Sequence, residues 1–203
     1  MPGILKPPLD PIRFPQRRSV RLLHHDYDSG TYFITICTAK RNPLLSRVER
    51  GRVLLTSIGS IVEKEWLRTS GMRSDVQVDA FVVMPNHFHG IVGLGVTAAG
   101  IVLDDGLRAH DGSRAHAVRP YLGQFVAGFK SACTRRYREI AGEAPGALWQ
   151  RGYYEHVIRG TKELERIRHY IDDNPRLWQE ERVRRRFSRN RRRVAEEWLG
   201  SPL

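Results

Sequence analysis

The chain has 203 residues, 40% of them hydrophobic and 28% charged, enough for one compact domain with short extensions and too few for two full domains. Its 34 Lys and Arg against 22 Asp and Glu leave a net charge of +12, which favours polyanionic partners, since neutralising phosphates releases counterions and drives association without reading sequence. No segment approaches the twenty or so apolar residues of a membrane span, so nucleic acid is the expected partner and a membrane is not.

Residues 1–20 carry four prolines in the first eleven positions, together with Arg13, Arg17 and Arg18. Proline disfavours regular structure, so this stretch reads as a flexible basic arm without an apolar run of signal-peptide length. The catalytic domain is expected over 21–178. Its first element is TYFITICT, β-branched and aromatic, a strand over 31–38. After the short apolar run 53–55, Ser57 can cap a helix in which Ile58, Ile61, Val62 and Trp66 recur at helical spacing.

A strand follows over 76–84, then the turn dipeptide Pro85-Asn86, then a strand over 87–94; so short a turn pairs the two as a hairpin. Residues 95–119 have no periodicity and read as a long loop. The helical pattern over 121–141 puts Leu122, Phe125, Val126, Phe129 and Cys133 on one stripe and Lys130, Arg135, Arg136 and Arg138 largely off it. A strand is expected over 153–158. The last helix spans 161–173, capped by Thr161 and ended by Pro175. Beyond it, 179–203 is an arginine-rich tail, either solvated and partly helical or a phosphate clamp. Cys37 and Cys133 sit in apolar stretches as reduced thiols, which fits a reducing cytoplasm.

Strand, helix, strand, strand, helix, strand is the ferredoxin-like βαββαβ order: an α+β fold, an antiparallel sheet with helices on one face, to which the last helix is appended. His87 and His89 flank Phe88 on a strand, so both imidazoles share one face and can reach one metal ion. The alternative is two hydrogen-bonded histidines at the start of a hairpin. Tyr170 and Asn174 lie four apart on the last helix, hence on one side of it; taken singly they are a boundary tyrosine and a helix-exit asparagine. Together the four make a set that suits Mg²⁺ or Mn²⁺, with an oxygen donor and open positions. A phenol has a free pKa of about 10 and needs a neighbouring cation to attack a phosphodiester at neutral pH. Tyr153 and Tyr154 are rival nucleophiles by type, but strand aromatics are more often core or stacking surfaces. Trp149 and Trp178 read as packing residues.

The runs VVMPNHFHGIV, RRSVRLLHHDYDSGTYFITICTAKR and LWQRGYYEHVIRGTKELERIRHYIDDNPRLW resemble the REP-associated tyrosine transposases, members of the His-hydrophobic-His class of single-strand DNA enzymes. The resemblance covers residues from about Arg17 to Trp178. It implies that His87 and His89 bind the metal, with Asn174 as third ligand where related transposases commonly have Gln. It implies that Tyr170 attacks single-stranded DNA, giving a 5′-phosphotyrosine and a free 3′-hydroxyl. The implied substrates are hairpin-forming palindromic repeats, and the implied setting is a bacterial nucleoid, as monomer or homodimer. Arg17, Arg18, Arg21, Lys130, Arg135, Arg136 and Arg151 are the expected DNA contacts. A non-catalytic hairpin-binding protein on the same fold is the competing reading, and a replication initiator or relaxase a third.

Overall fold

The computed structural model describes residues 29–95, 122–142 and 145–199, the side chains of 70 and 184–199 excepted. The basic arm with Arg17 and Arg18, Arg21, and loop 95–119 beyond its first residue lie outside the described residues.

Among the described residues, six strands and three α-helices follow in chain order: β1 (Gly30–Cys37), β2 (Ser46–Glu49), β3 (Arg52–Leu55), α1 (Ser57–Met72), β4 (Val76–Met84), β5 (His87–Leu94), α2 (Leu122–Ala141), β6 (Tyr154–Ile158) and α3 (Thr161–Leu199). The main sheet is antiparallel in the order β4-β5-β1-β6, the arrangement expected of a ferredoxin-like βαββαβ chain. β2 and β3 form a separate hairpin, of which the apolar run 53–55 is the second strand. Its turn is Arg50-Gly51, both at positive φ (50° and 72°), the backbone sense that matches the twist of paired strands.

Both central strands, β1 and β5, are buried along their whole length. Each is sandwiched, which explains why TYFITICT shows no clean polar alternation. On one face, Tyr32, Ile34, Ile36, Phe88 and Val92 meet α1 and α2 through Trp66, Phe125 and Phe129. On the other, Phe33, Ile91 and Ile158 meet Leu164, Ile167 and Ile171 of α3. Thus α1 and α2 share one face, and α3 covers the opposite one.

Two expectations are corrected in detail. α1 is capped by Thr56, whose hydroxyl accepts from the Gly59 N–H at 3.1 Å; Thr56 wins because its backbone N–H is already fixed to the Leu45 carbonyl. α3 does not end before Pro175 but runs through it to Leu199. Proline forfeits one helical hydrogen bond, yet Ile171, Asn174 and Pro175 are all buried, and this burial offsets the loss. Residues 179–199 continue the backbone of α3, which agrees with a partly helical tail. Among the described residues no helix is long and apolar enough to cross a membrane.

Candidate functional site

The site lies on the sheet face covered by α3. Strand alternation puts His87, His89 and Ile91 on that face of β5, and β1 contributes Phe33, Thr35 and Cys37 beside them, paired with Ile91, His89 and His87. The alternation also turns Phe88 into the opposite core, as its sequence position required. Gly90 completes the motif for a steric reason. A Cβ there would stand 2.7 Å from Trp66 and 2.8 Å from Phe88, so any larger residue displaces the aromatic core beneath the histidines.

The two imidazoles are buried with ring centroids 4.5 Å apart. Each has its Nδ1 engaged: His87 with Asn86 Oδ1 and His89 with Thr35 Oγ1, both at 2.8 Å. Asn86 Oδ1 can only accept, so His87 Nδ1 carries the proton there and Nε2 keeps its lone pair. The same tautomer suits His89. Such outer partners orient metal-binding imidazoles. Burial, and then the nearby Arg41, lower the His87 pKa to about 4. Burial, His87 and Arg41 hold His89 well below the usual imidazole range. Both rings are neutral at pH 7, the form that ligates.

α3 lays one stripe across this pair. The Tyr170 ring is 5.6 Å from His89 and 6.0 Å, edge-on, from Phe33. Trp178, two turns on, is 5.8 Å from His87. Asn174 lies between them on the stripe and is buried. Its Nδ2 donates to the Tyr170 carbonyl at 3.1 Å, which fixes the amide and leaves Oδ1 as the acceptor. Trp178 packs as expected, and it continues the spacing of four from Tyr170 and Asn174. Thr35 and Asn86 carry no signal in the sequence, because their roles depend on cross-strand register and on a turn.

Among the described residues no cluster of three or more His, Cys, Asp or Glu is placed to share a metal ion. The two Nε2 lone pairs suit a divalent cation, and a third ligand would have to be a donor of another kind, such as the Asn174 amide oxygen. Tyr154, the rival, pairs with Thr35 on the edge strand, two strands from His89, or about 10 Å at ordinary strand spacing. Tyr170 is the nearer phenol.

The expected DNA contacts divide. Lys130, Arg135 and Arg151 line one groove of about 750 Å³ with Arg138, Thr134 and Ser131. Arg136 does not line it: its guanidinium pairs with Glu65 and Glu139, both at 3.5 Å. The Lys130 ammonium donates to the carbonyls of Gln150, Arg151 and Gly152 at 2.6, 3.0 and 3.3 Å. Three carbonyls occupy its three protons, so Lys130 shapes the loop that carries Arg151.

No family model matches the chain. A Haemophilus influenzae protein described as uncharacterized is 36% identical over 172 residues, spanning 82% of this chain and 92% of that protein. Among solved structures, one described as a REP-associated tyrosine transposase bound to a REP hairpin is similar at 21% identity and a TM-score of 0.48, covering 76% of this chain and 72% of that one. A candidate transposase from Deinococcus radiodurans R1 is similar at 18% identity and a TM-score of 0.40, covering 75% and 95%.

Proposed function

We propose that this chain, which belongs to one family with the Haemophilus influenzae protein, is a REP-associated tyrosine transposase that nicks and rejoins single-stranded hairpin DNA. The observation that carries this reading is the stripe of Tyr170 and Asn174 laid over two neutral, buried histidines whose Nδ1 atoms are both engaged. A pure binding protein has no need of a phenol held against oriented imidazoles.

In this reading His87, His89 and Asn174 would hold Mg²⁺ or Mn²⁺. When bound, the cation offsets phosphodiester charge and eases ionisation of a neighbouring phenol. Tyr170 Oη attacks phosphorus, the P–O3′ bond breaks, and a 5′-phosphotyrosine and a free 3′-hydroxyl result. Phenolate is a fair leaving group, so the 3′-hydroxyl can reverse the step, which suits strand transfer over hydrolysis. Phe33 and the rest of the apolar patch under Tyr170 keep the ring half-buried and limit its rotamers. The Arg135 and Arg151 groove offers phosphate contacts for the DNA flanking the cut.

The test is covalent capture. Incubated with hairpin DNA and Mn²⁺, the wild-type chain is expected to give a protein–DNA adduct stable on a denaturing gel. Tyr170→Phe is expected to give none while still binding the hairpin. Adduct formation by Tyr170→Phe at the wild-type rate would reject the nucleophile. Hairpin binding without adduct by the wild type would favour the non-catalytic reading.

A further inference from the structure

β1 leaves the sheet through a turn that places Lys40 and Arg41 side by side at positive φ, 54° and 57°. Neither is Gly, Asn or Asp, and lysine and arginine gain nothing locally from the left-handed region. Two such residues in succession persist only where the surroundings hold them. Here they do. Thr38 N–H and Thr38 Oγ1 both donate to the Asn86 carbonyl, at 3.0 Å each. Thr38 Oγ1 also lies 2.7 Å from the Asn42 carbonyl, Arg41 N–H donates to the Thr38 carbonyl, and Ala39 N–H donates to the Leu148 carbonyl.

Asn86 is the residue whose side chain orients His87. The turn carrying Arg41 and the turn carrying His87 are therefore one hydrogen-bonded unit. The Arg41 side chain is exposed, and among the described residues it has no ion-pair partner. Its charge bears on His87, His89 and Cys37 alike. The turn that carries this cation is thus tied to the turn that orients His87, on a backbone held there at a conformational cost.

From this we infer that Arg41 is a phosphate-binding catalytic residue: its guanidinium engages the non-bridging oxygens of the phosphodiester that Tyr170 attacks. This rests on the nicking reading above and adds a residue to it. As the Tyr170 Oη–P bond forms and the P–O3′ bond breaks, the phenol proton passes to water. The departing 3′-oxygen takes the electron pair and then a proton from water. Arg41 neither gives nor takes a proton; it offsets the charge that gathers on the phosphoryl oxygens, with the planar fork that suits two oxygens at once.

The variants are Arg41→Asn, Arg41→Lys and Lys40→Asn. Asparagine tolerates the left-handed region, so the turn is kept while the charge is removed; circular dichroism checks the fold. Two readouts are taken. The first is Mn²⁺-dependent binding of a fluorescein-labelled oligothymidylate. The second is the single-turnover rate of adduct formation at saturating hairpin DNA. Arg41→Asn is expected to lose about 10–100-fold in the Mn²⁺-dependent binding and about 10²–10³-fold in rate. Arg41→Lys is expected to recover part of both, and Lys40→Asn to match wild type.

Wild-type binding by Arg41→Asn would overturn the inference. So would an equal loss in Lys40→Asn, which would mark general surface charge. A wild-type chain that binds the oligothymidylate yet gives no adduct with any hairpin rejects the nicking reading. The binding arm still decides whether Arg41 engages phosphate.

Discussion

His87 and His89 are neutral because they are buried, and this has a measurable consequence. The folded pKa of His87 is about 4, below the roughly 6.5 of an unfolded histidine. Between these values the unfolded chain binds a proton that the folded chain does not. Stability is therefore intact above about pH 6.5, falls as pH drops, and stops falling on this account below about pH 4. His87 alone should cost roughly 2–3 kcal/mol between pH 7 and 4.5, and His89 shifts in the same direction. Urea unfolding across this range checks it against His87→Gln, whose stability should fall less steeply. Parallel curves for the two proteins would show that His87 does not titrate as its burial requires.

The decisive element is α3, since it carries Tyr170 and Asn174 and must be seated accurately. Its first half is clamped to β4. Where the register shifts between Val78 and Phe81, Asp79 is turned toward the helix. Arg168 meets it with Nε 3.2 Å from both carboxylate oxygens and a terminal nitrogen 2.6 Å from one. Asp79 is mostly buried at 16% exposure and Arg168 is one-third exposed, so solvent screens part of the pair. The second half is tied by Gln179, whose Oε1 accepts from Gly51 N–H in the β2–β3 turn at 2.7 Å. Asp79→Ala should cost about 1–2 kcal/mol in urea unfolding, the lower range for hydrogen bonds to charged groups. It should also lower amide-exchange protection in residues 161–172 more than in α1 or α2. Arg168→Lys should not restore either, because a point charge lacks the two-pronged fit. Equal protection loss across all three helices would deny the clamp a local role.

At the scale of the whole molecule, the net charge of +12 is not spread evenly over function. Arg136 and Arg168 are committed to carboxylates and Lys130 to backbone carbonyls. Arg135 and Arg151 face an open groove. Single-stranded DNA affinity should fall as salt rises, and the log–log slope should shrink by about 0.7 for each phosphate contact removed. Arg135→Ala and Arg151→Ala should each flatten the slope by about that amount, and Arg136→Ala should leave it unchanged. An Arg136→Ala effect as large as the others would mean that surface cations act interchangeably.

The βαββαβ order, the α1 and α2 apolar stripes and the shared face of His87 and His89 were legible because they depend on period: 2 in a strand, 3.6 in a helix. The spacing of Tyr170 and Asn174 was legible for the same reason. Other features depend on distant segments meeting. The β2–β3 hairpin carries apolar residues of its own, but its place is set by α3 and by β4, whose Val83 carbonyl accepts from the Ser46 hydroxyl. The course of α3 past Pro175 is decided by burial around the ring, which local propensity cannot foresee. Lys130 and Arg136 look like their cationic neighbours in sequence and differ only in what lies opposite them. The sequence by itself determined which side chains share a face. Only the tertiary structure decided that α3 crosses the histidines on the side away from α1 and α2, that Thr35 and Asn86 join them, and that the Arg41 turn is tied to Asn86, because hydrogen bonds act through space between segments far apart in the chain.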